Sequence, residues 1–181
     1  YPSRYHMRRM AVQLPLETVV NIERVEWEVK PQTITTSENA APFANMVAKG
    51  VACVYTAGYP CLAVKVFLNR LSKSGSKCIH EGDADLDGFR IAKEVGDCIP
   101  LKDVVACDVL KVASSEYGRE LSAEQIKRAS VFLSNPKYDD YEFADEIRCL
   151  IGRGKWIEQE SFAEILKSRR IRGREGEEKT Q

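Results

Sequence analysis

The 181-residue chain has no net charge: 27 Lys and Arg balance 27 Asp and Glu. A uniformly basic or acidic field is excluded, so any partner has to be met through local clusters. The six cysteines, at 53, 61, 78, 98, 107 and 149, form no CxxC pair and stand near no histidine-rich segment. That leaves no zinc-binding pattern. No apolar run approaches the roughly 18 residues of a membrane span, and no signal peptide is recognisable. We therefore expect reduced thiols packed as small hydrophobes, a cytoplasmic setting and no membrane partner. The chain opens at Tyr1 rather than Met, and reads as a piece of a longer protein.

What is present is a globular composition, 44% hydrophobic and 30% charged, sufficient for one well-cored domain with a helical appendage. The most informative stretch is Lys77 to Lys93, KCIHEGDADLDGFRIAK. Asp83, Asp85 and Asp87 stand at alternate positions, followed by Gly88. With Lys77–His80 as a strand and Phe89–Val95 as a helix, the acids lie where an α/β sheet binds ligands, at a strand's C-terminal end. Three anions in one turn repel unless a cation joins them, and hard oxygen ligands suit Mg²⁺, Mn²⁺ or Ca²⁺. A solvated acidic loop is the plain alternative. The same residues, with Glu94, also satisfy the EF-hand expression. An EF-hand needs a helix entering the loop, whereas turn residues Ser72–Ser76 and a short strand precede this one.

Along the chain, residues 1–16 read as a linker or the end of a preceding domain, with Tyr1 and Tyr5 packing or exposed. Thr18–Trp27 alternates like a strand. Pro31-Gln32 turns the chain, so Glu26–Val29 and Thr33–Thr36 are expected as a hairpin or adjacent strands. Thr33–Thr36 leads into Ser37-Glu38-Asn39 and a helix over Ala40–Lys49, which puts Glu38 at a strand-to-helix junction. Val51–Tyr55 reads as a strand covered on both faces, and the helix after it runs from about Cys61 to before Ser72. Val104–Cys107 is expected as a fourth strand. From Leu121 onward everything reads as helix: one capped by Ser122 with Gln125, one from Asp139 or Asp140 to Ile151, and one over Ile157–Ser168. The alternation of strand and helix predicts an α/β fold with a mostly parallel sheet flanked by helices. The boundaries expected are 17–118 for the α/β domain, 119–170 for a helical extension and 171–181 for a charged, disordered tail. The basic cluster at Arg169, Arg170, Arg172 and Arg174 lies at that end.

Glu38 at one strand end and DADLDG at another resemble the Toprim domain of topoisomerases, bacterial primases and several nucleases. DADLDG followed by Phe-Arg-Ile is similar to the corresponding segment of type II topoisomerases. The ordered set SENAAPF, TAGYP, HEGDADLDGFRIA and WIEQE more closely resembles the Toprim nuclease subunit of Wadjet-type plasmid-defence systems, relatives of the topoisomerase VI A subunit. The likeness spans about residues 18–165. In that branch a histidine or aromatic directly precedes the Gly-Asp pair. Here Glu81 intervenes, so no catalytic role passes to His80, and Glu81 is open as an added metal-facing acid.

The resemblance implies a Rossmann-like Toprim sheet and DNA phosphodiester cleavage. It implies Mg²⁺ or Mn²⁺ held by Glu38, Asp83 and Asp85, with Asp87 completing the shell. Glu38, Asp83 and Asp85 are the catalytic candidates, in a one-metal or a two-metal version. The transesterifying tyrosine of topoisomerase VI relatives belongs to a winged-helix domain absent from this sequence. Lys65, Arg70, Lys73, Lys77, Arg90 and Lys93 flank the acidic turn, and Arg90, Lys65 and Lys93 are the leading candidates for backbone phosphates. Glu158-Gln159-Glu160 is read either as a helix start or as a second acid near the site. The partners implied are double-stranded DNA and other subunits of a larger complex, with a homodimer open. Asp83→Ala or Asp85→Ala is expected to abolish cleavage and leave the fold intact. The rival from another class is a metal-binding or DNA-docking module without turnover.

Overall fold

In the computed structural model, residues 11–27 and 33–167 are described. The elements run α1 (Leu16–Val20), β1 (Thr33–Ser37), α2 (Ala40–Ala48), β2 (Cys53–Tyr55), α3 (Leu62–Lys73), β3 (Lys77–Glu81), α4 (Leu86–Gly96) and β4 (Leu101–Val104). They continue with α5 (Val105–Val112), β5 (Arg119–Glu120), α6 (Ala123–Leu133), α7 (Ala144–Arg153) and β6 (Lys155–Trp156). Short 3₁₀ turns occupy Pro136–Tyr138 and Gln159–Ser161. These elements form two compact units: the described parts of Tyr1–Gly82 with Arg90–Val104, and of Asp83–Phe89 with Val105–Gln181.

The first unit holds the predicted sheet: four parallel strands in the order β2-β1-β3-β4, flanked by helices in a Rossmann-like α/β arrangement. Ile34 and Cys78 sit opposite each other in the β1–β3 ladder. They pack with Leu68 and Leu71 of α3, Val95 of α4 and Ile99 as the buried core. The strand order matters for function. From β1 the chain steps outward to β2, then returns across β1 to place β3 on its other side. Such a reversal opens a crevice at the carboxyl ends of the two strands concerned, here β1 and β3.

Several boundaries differ from expectation. Thr18–Trp27 is not a strand. Leu16–Val20 forms a helical turn after Pro15, whose fixed φ suits a helix entry, and Val19 is its buried anchor. Of the expected hairpin, 28–32 lie outside the described residues, and Thr33–Ser37 pairs instead with β2 and β3 in parallel. β2 is a shorter strand than expected, three residues at the sheet's edge, with Val54 packed against the core on one face and Cys53 and Tyr55 against Met46 and Phe43 of α2 on the other. Val105–Cys107 belongs to α5. Asp139 and Asp140 precede α7 rather than starting it, and that helix ends at Gly154 in the left-handed region (φ 66°).

The second unit is not all helical. β5 and β6 pair as an antiparallel ribbon, and Ala84 bridges Ile157 beside it. Ser122 caps α6 with the expected Gln125 capping box. The last helix begins after the 3₁₀ turn and is described over 162–167. Among the described residues no helix is long and apolar enough to cross a membrane. Tyr1, Tyr5, the basic cluster and 171–181 lie outside the described residues.

Candidate functional site

Successive residues of a strand point to opposite faces, so Ile34 and Thr36 share a face with Cys78 and His80 across the ladder. That face is apolar at its base and turns polar toward the strands' carboxyl ends. Glu38 N–H donates to the Glu81 carbonyl at 3.0 Å, extending the pairing beyond β1. Glu38 then stands beside Gly82, and a Cβ on Gly82 would lie 2.6 Å from Glu38 Oε2 and 2.8 Å from His80 Nε2. Only a glycine leaves the carboxylate this room. Glu38 therefore sits at the crevice end of β1, against the residue that precedes Asp83 in the chain.

His80 is 1% exposed, with Nδ1 2.9 Å from Thr36 Oγ1. Burial pushes its pKa from 6.5 down to about 4. A depressed histidine pKa means that the fold favours the neutral ring. The stability it contributes is fully present above pH 6.5 and is lost as pH falls toward about 4. Urea midpoints should drop across that window in the native chain, and His80→Gln should flatten that part of the profile. Glu81 occupies the opposite face, where its charge helps raise the Cys53 thiol, already pushed up to about 12 chiefly by burial. It is thus turned away from the face that carries Glu38. Burial likewise pushes the Cys78 thiol up to about 11 and the Cys107 thiol up to about 12, so these thiols pack rather than react.

In the second unit the acidic turn is tightly built. Asp83 Oδ1 accepts the backbone N–H of Gln159 at 2.8 Å. Gln159 is 3% exposed, so this is the partner of a buried donor. Asp85 Oδ1 accepts Gly88 N–H at 2.7 Å, as a cap does at a helix start. α4 consequently begins at Leu86, three residues earlier than expected, with Asp87 in its first turn. Gly88 is required by contact: a Cβ there would lie 2.0 Å from the Asp83 carbonyl oxygen. Asp87 is gripped by Arg128 Nη2, at 3.0 Å and 3.3 Å from its two oxygens. Both side chains are more than a third exposed, so the pair is worth at most about 1 kcal/mol.

Burial raises the Asp85 pKa, and the nearby Asp83 and Asp87 charges raise it further against the opposing pull of Gly88 N–H. A carboxyl whose folded pKa exceeds its unfolded value loses stability as pH rises through that range. At pH 7 its charge therefore opposes folding. Asp85→Asn retains an acceptor for Gly88 N–H and should stabilise the metal-free chain by about 1 kcal/mol, raising Tm by about 2–4 °C in a thermal melt.

Because β3 rather than a helix enters the turn, the EF-hand reading fails. Sequence reasoning missed Arg128 and the buried Gln159. Nothing at 41 or 76 residues' separation marks either as a partner of the turn; only the WIEQE motif hinted at Gln159. Among the expected phosphate contacts, Lys65 pairs with Glu94 at 2.8 Å, and Lys93 is paired with Asp97. Arg90 lies over the Tyr59 ring, 5.4 Å from its centre. Glu158 pairs with Arg119 across 2.9 Å.

The sequence matches the family described as Wadjet protein JetD, C-terminal, over residues 3–169. The chain belongs to that family. No curated protein matches it at a significant level. Membership in the Wadjet JetD C-terminal family gives the chain a role in a Wadjet system, the plasmid-defence context that the sequence motifs indicated.

The carboxylates fit a hard divalent cation by chemistry: an all-oxygen set with mutual repulsion at Asp85. Among the described residues no group of three or more His, Cys, Asp or Glu side chains is arranged to hold a metal ion. Asp83 and Asp85 are instead turned onto backbone donors.

Proposed function

We propose that this chain is a Toprim-type catalytic domain that cleaves DNA phosphodiesters in a Wadjet assembly, with Glu38, Asp83 and Asp85 sharing Mg²⁺ or Mn²⁺. The observation that carries the reading is the seat of Glu38 against Gly82 at the β1–β3 crevice. Asp83 is the next residue in the chain. Bound there, the cation supplies charge neutralisation at the phosphate and lowers the pKa of attacking water.

The chain's own residues do the rest. Gly82 and Gly88 let carboxylate and backbone approach where any side chain would collide. Asp83 holds its orientation through Gln159 N–H. Asp87, on α4, contributes from the edge of the turn while balanced by Arg128. In a one-metal version Glu38 takes the proton of the nucleophilic water. Arg90, Lys65 and Lys93 hold backbone phosphates of double-stranded DNA, exchanging their present aromatic or acidic partners for phosphate oxygens. Other subunits of the Wadjet assembly complete the working machine.

A second reading, a DNA-docking module without turnover, is favoured by the same hydrogen bonds. Asp83 and Asp85 already have structural work as acceptors for Gln159 and Gly88. Nicking of supercoiled plasmid in Mg²⁺, Mn²⁺ or EDTA separates the two. The nuclease nicks with either metal and stops in EDTA. Duplex binding with no nicking in any condition supports the docking module.

A further inference from the structure

Arg128 is 41 residues from Asp87 in the chain and in contact with it in space. It stands on α6, three positions after Gln125 of the capping box, so both side chains leave the same face of a well-capped helix. Together with Asp85 and Asp87 they ring a small cavity that Ala129 and Leu150 also line. Two carboxylates assigned above to the cation's shell thus share a cavity with a guanidinium that has served so far only to balance charge.

The contact puts that charge in a telling place. A single nitrogen, Nη2, reaches both oxygens of Asp87, 3.3 Å from Oδ1 and 3.0 Å from Oδ2. It therefore lies across the edge of the carboxylate that a divalent cation would take. Two cations on one edge repel strongly. The pair also opens easily, because both side chains are more than a third exposed and water screens them. Arg128 can swing aside on its long stem while α6 stays in place. Its planar fork is the side chain best matched to a phosphate's paired oxygens.

We propose that Arg128 is a cation-gated phosphate contact. It covers Asp87 until Mg²⁺ or Mn²⁺ arrives, then yields the carboxylate to the ion and turns its guanidinium to a backbone phosphate of duplex DNA. The exchange rests on the acidic turn being a cation site, as proposed above. Its consequence is an order of loading: the ion binds first, and DNA is gripped at this point only afterwards. A tie that merely fastens α6 to α4 would behave differently, since its loss would loosen metal and DNA binding alike, or neither.

The test uses the full chain and reads metal and DNA separately. Mn²⁺ binding, followed by electron paramagnetic resonance, should be about two- to fivefold tighter in Arg128→Gln than in wild type, because the competing charge is gone. Arg128→Lys keeps the charge and should stay near wild type. In an Asp87→Asn background Arg128→Gln should leave Mn²⁺ binding unchanged. Binding of a short fluorescent duplex, at a Ca²⁺ level that empties the wild-type chain of Mn²⁺, supplies the second arm. There Arg128→Gln should bind about three- to tenfold more weakly, with a salt dependence shallower by about one phosphate contact. Unchanged or weaker Mn²⁺ binding in Arg128→Gln would overturn the proposal, as would unchanged duplex affinity and salt dependence. Where wild type binds Mn²⁺ and the variant gains nothing, this proposal alone falls; where wild type binds none, the cation reading falls with it.

Discussion

Asp83→Asn should reduce metal-dependent plasmid nicking by about a thousandfold or more, since a charged ligand to the cation is worth several kcal/mol. Asparagine is the informative replacement. Asp83 Oδ1 accepts the N–H of Gln159, which is almost wholly buried. Alanine would strand that donor at a cost of about 1–3 kcal/mol. The sequence-based expectation that Asp83→Ala leaves the fold intact is therefore revised: alanine removes a structural acceptor together with the charge. The asparagine oxygen can still accept, so its melting temperature should stay near wild type while nicking disappears. Nicking by Asp83→Asn at the wild-type rate would remove Asp83 from the chemistry and favour the docking module.

Gly82→Ala should be nearly as damaging without touching any acid. The added methyl would lie 2.6 Å from Glu38 Oε2 and 2.8 Å from His80 Nε2, both well inside van der Waals contact. His80 is packed on all sides, so Glu38 must give way. Displacing a reacting group by about 1 Å costs on the order of a hundredfold in rate, and overpacking of this kind typically costs about 1–3 kcal/mol of stability. Nicking assays beside urea unfolding separate the two effects. Wild-type activity in Gly82→Ala would mean that Glu38 can work from elsewhere, and the crevice argument would lose its anchor.

The strands and turns that carry the site could be read from sequence because their signals are local. The β-branched Thr33–Thr36 and the Gly88 after the acids each announce themselves within a few residues. The Ser122–Gln125 capping box did so as well. Misreadings fell where local pattern and tertiary packing disagree. Thr18–Trp27 alternates like a strand, but among its described residues only Leu16–Val20 becomes regular, as a helical turn anchored by the buried Val19. Val105–Cys107 has strand composition, yet α5 claims it because Ala106, Val109 and Leu110 make one buried helical face. β5 and β6 are two residues each and pair across about 36 positions, too short and too distant for any periodicity to reveal. The same distance hid Gln159 and Arg128, whose roles exist only once the chain has folded. Glu38 was legible as a junction acid, but its registry with Gly82 follows from strand pairing.

The claim beneath all of this is that Glu38 and the acidic turn bind one cation together. Mn²⁺ binding to the full chain, followed by electron paramagnetic resonance, tests it without recourse to DNA or turnover. The account predicts that Glu38→Gln and Asp83→Asn each weaken Mn²⁺ binding strongly, and that the double variant is little worse than either alone, because both act at one site. Wild-type Mn²⁺ affinity in Glu38→Gln, with loss confined to Asp83→Asn, would contradict it.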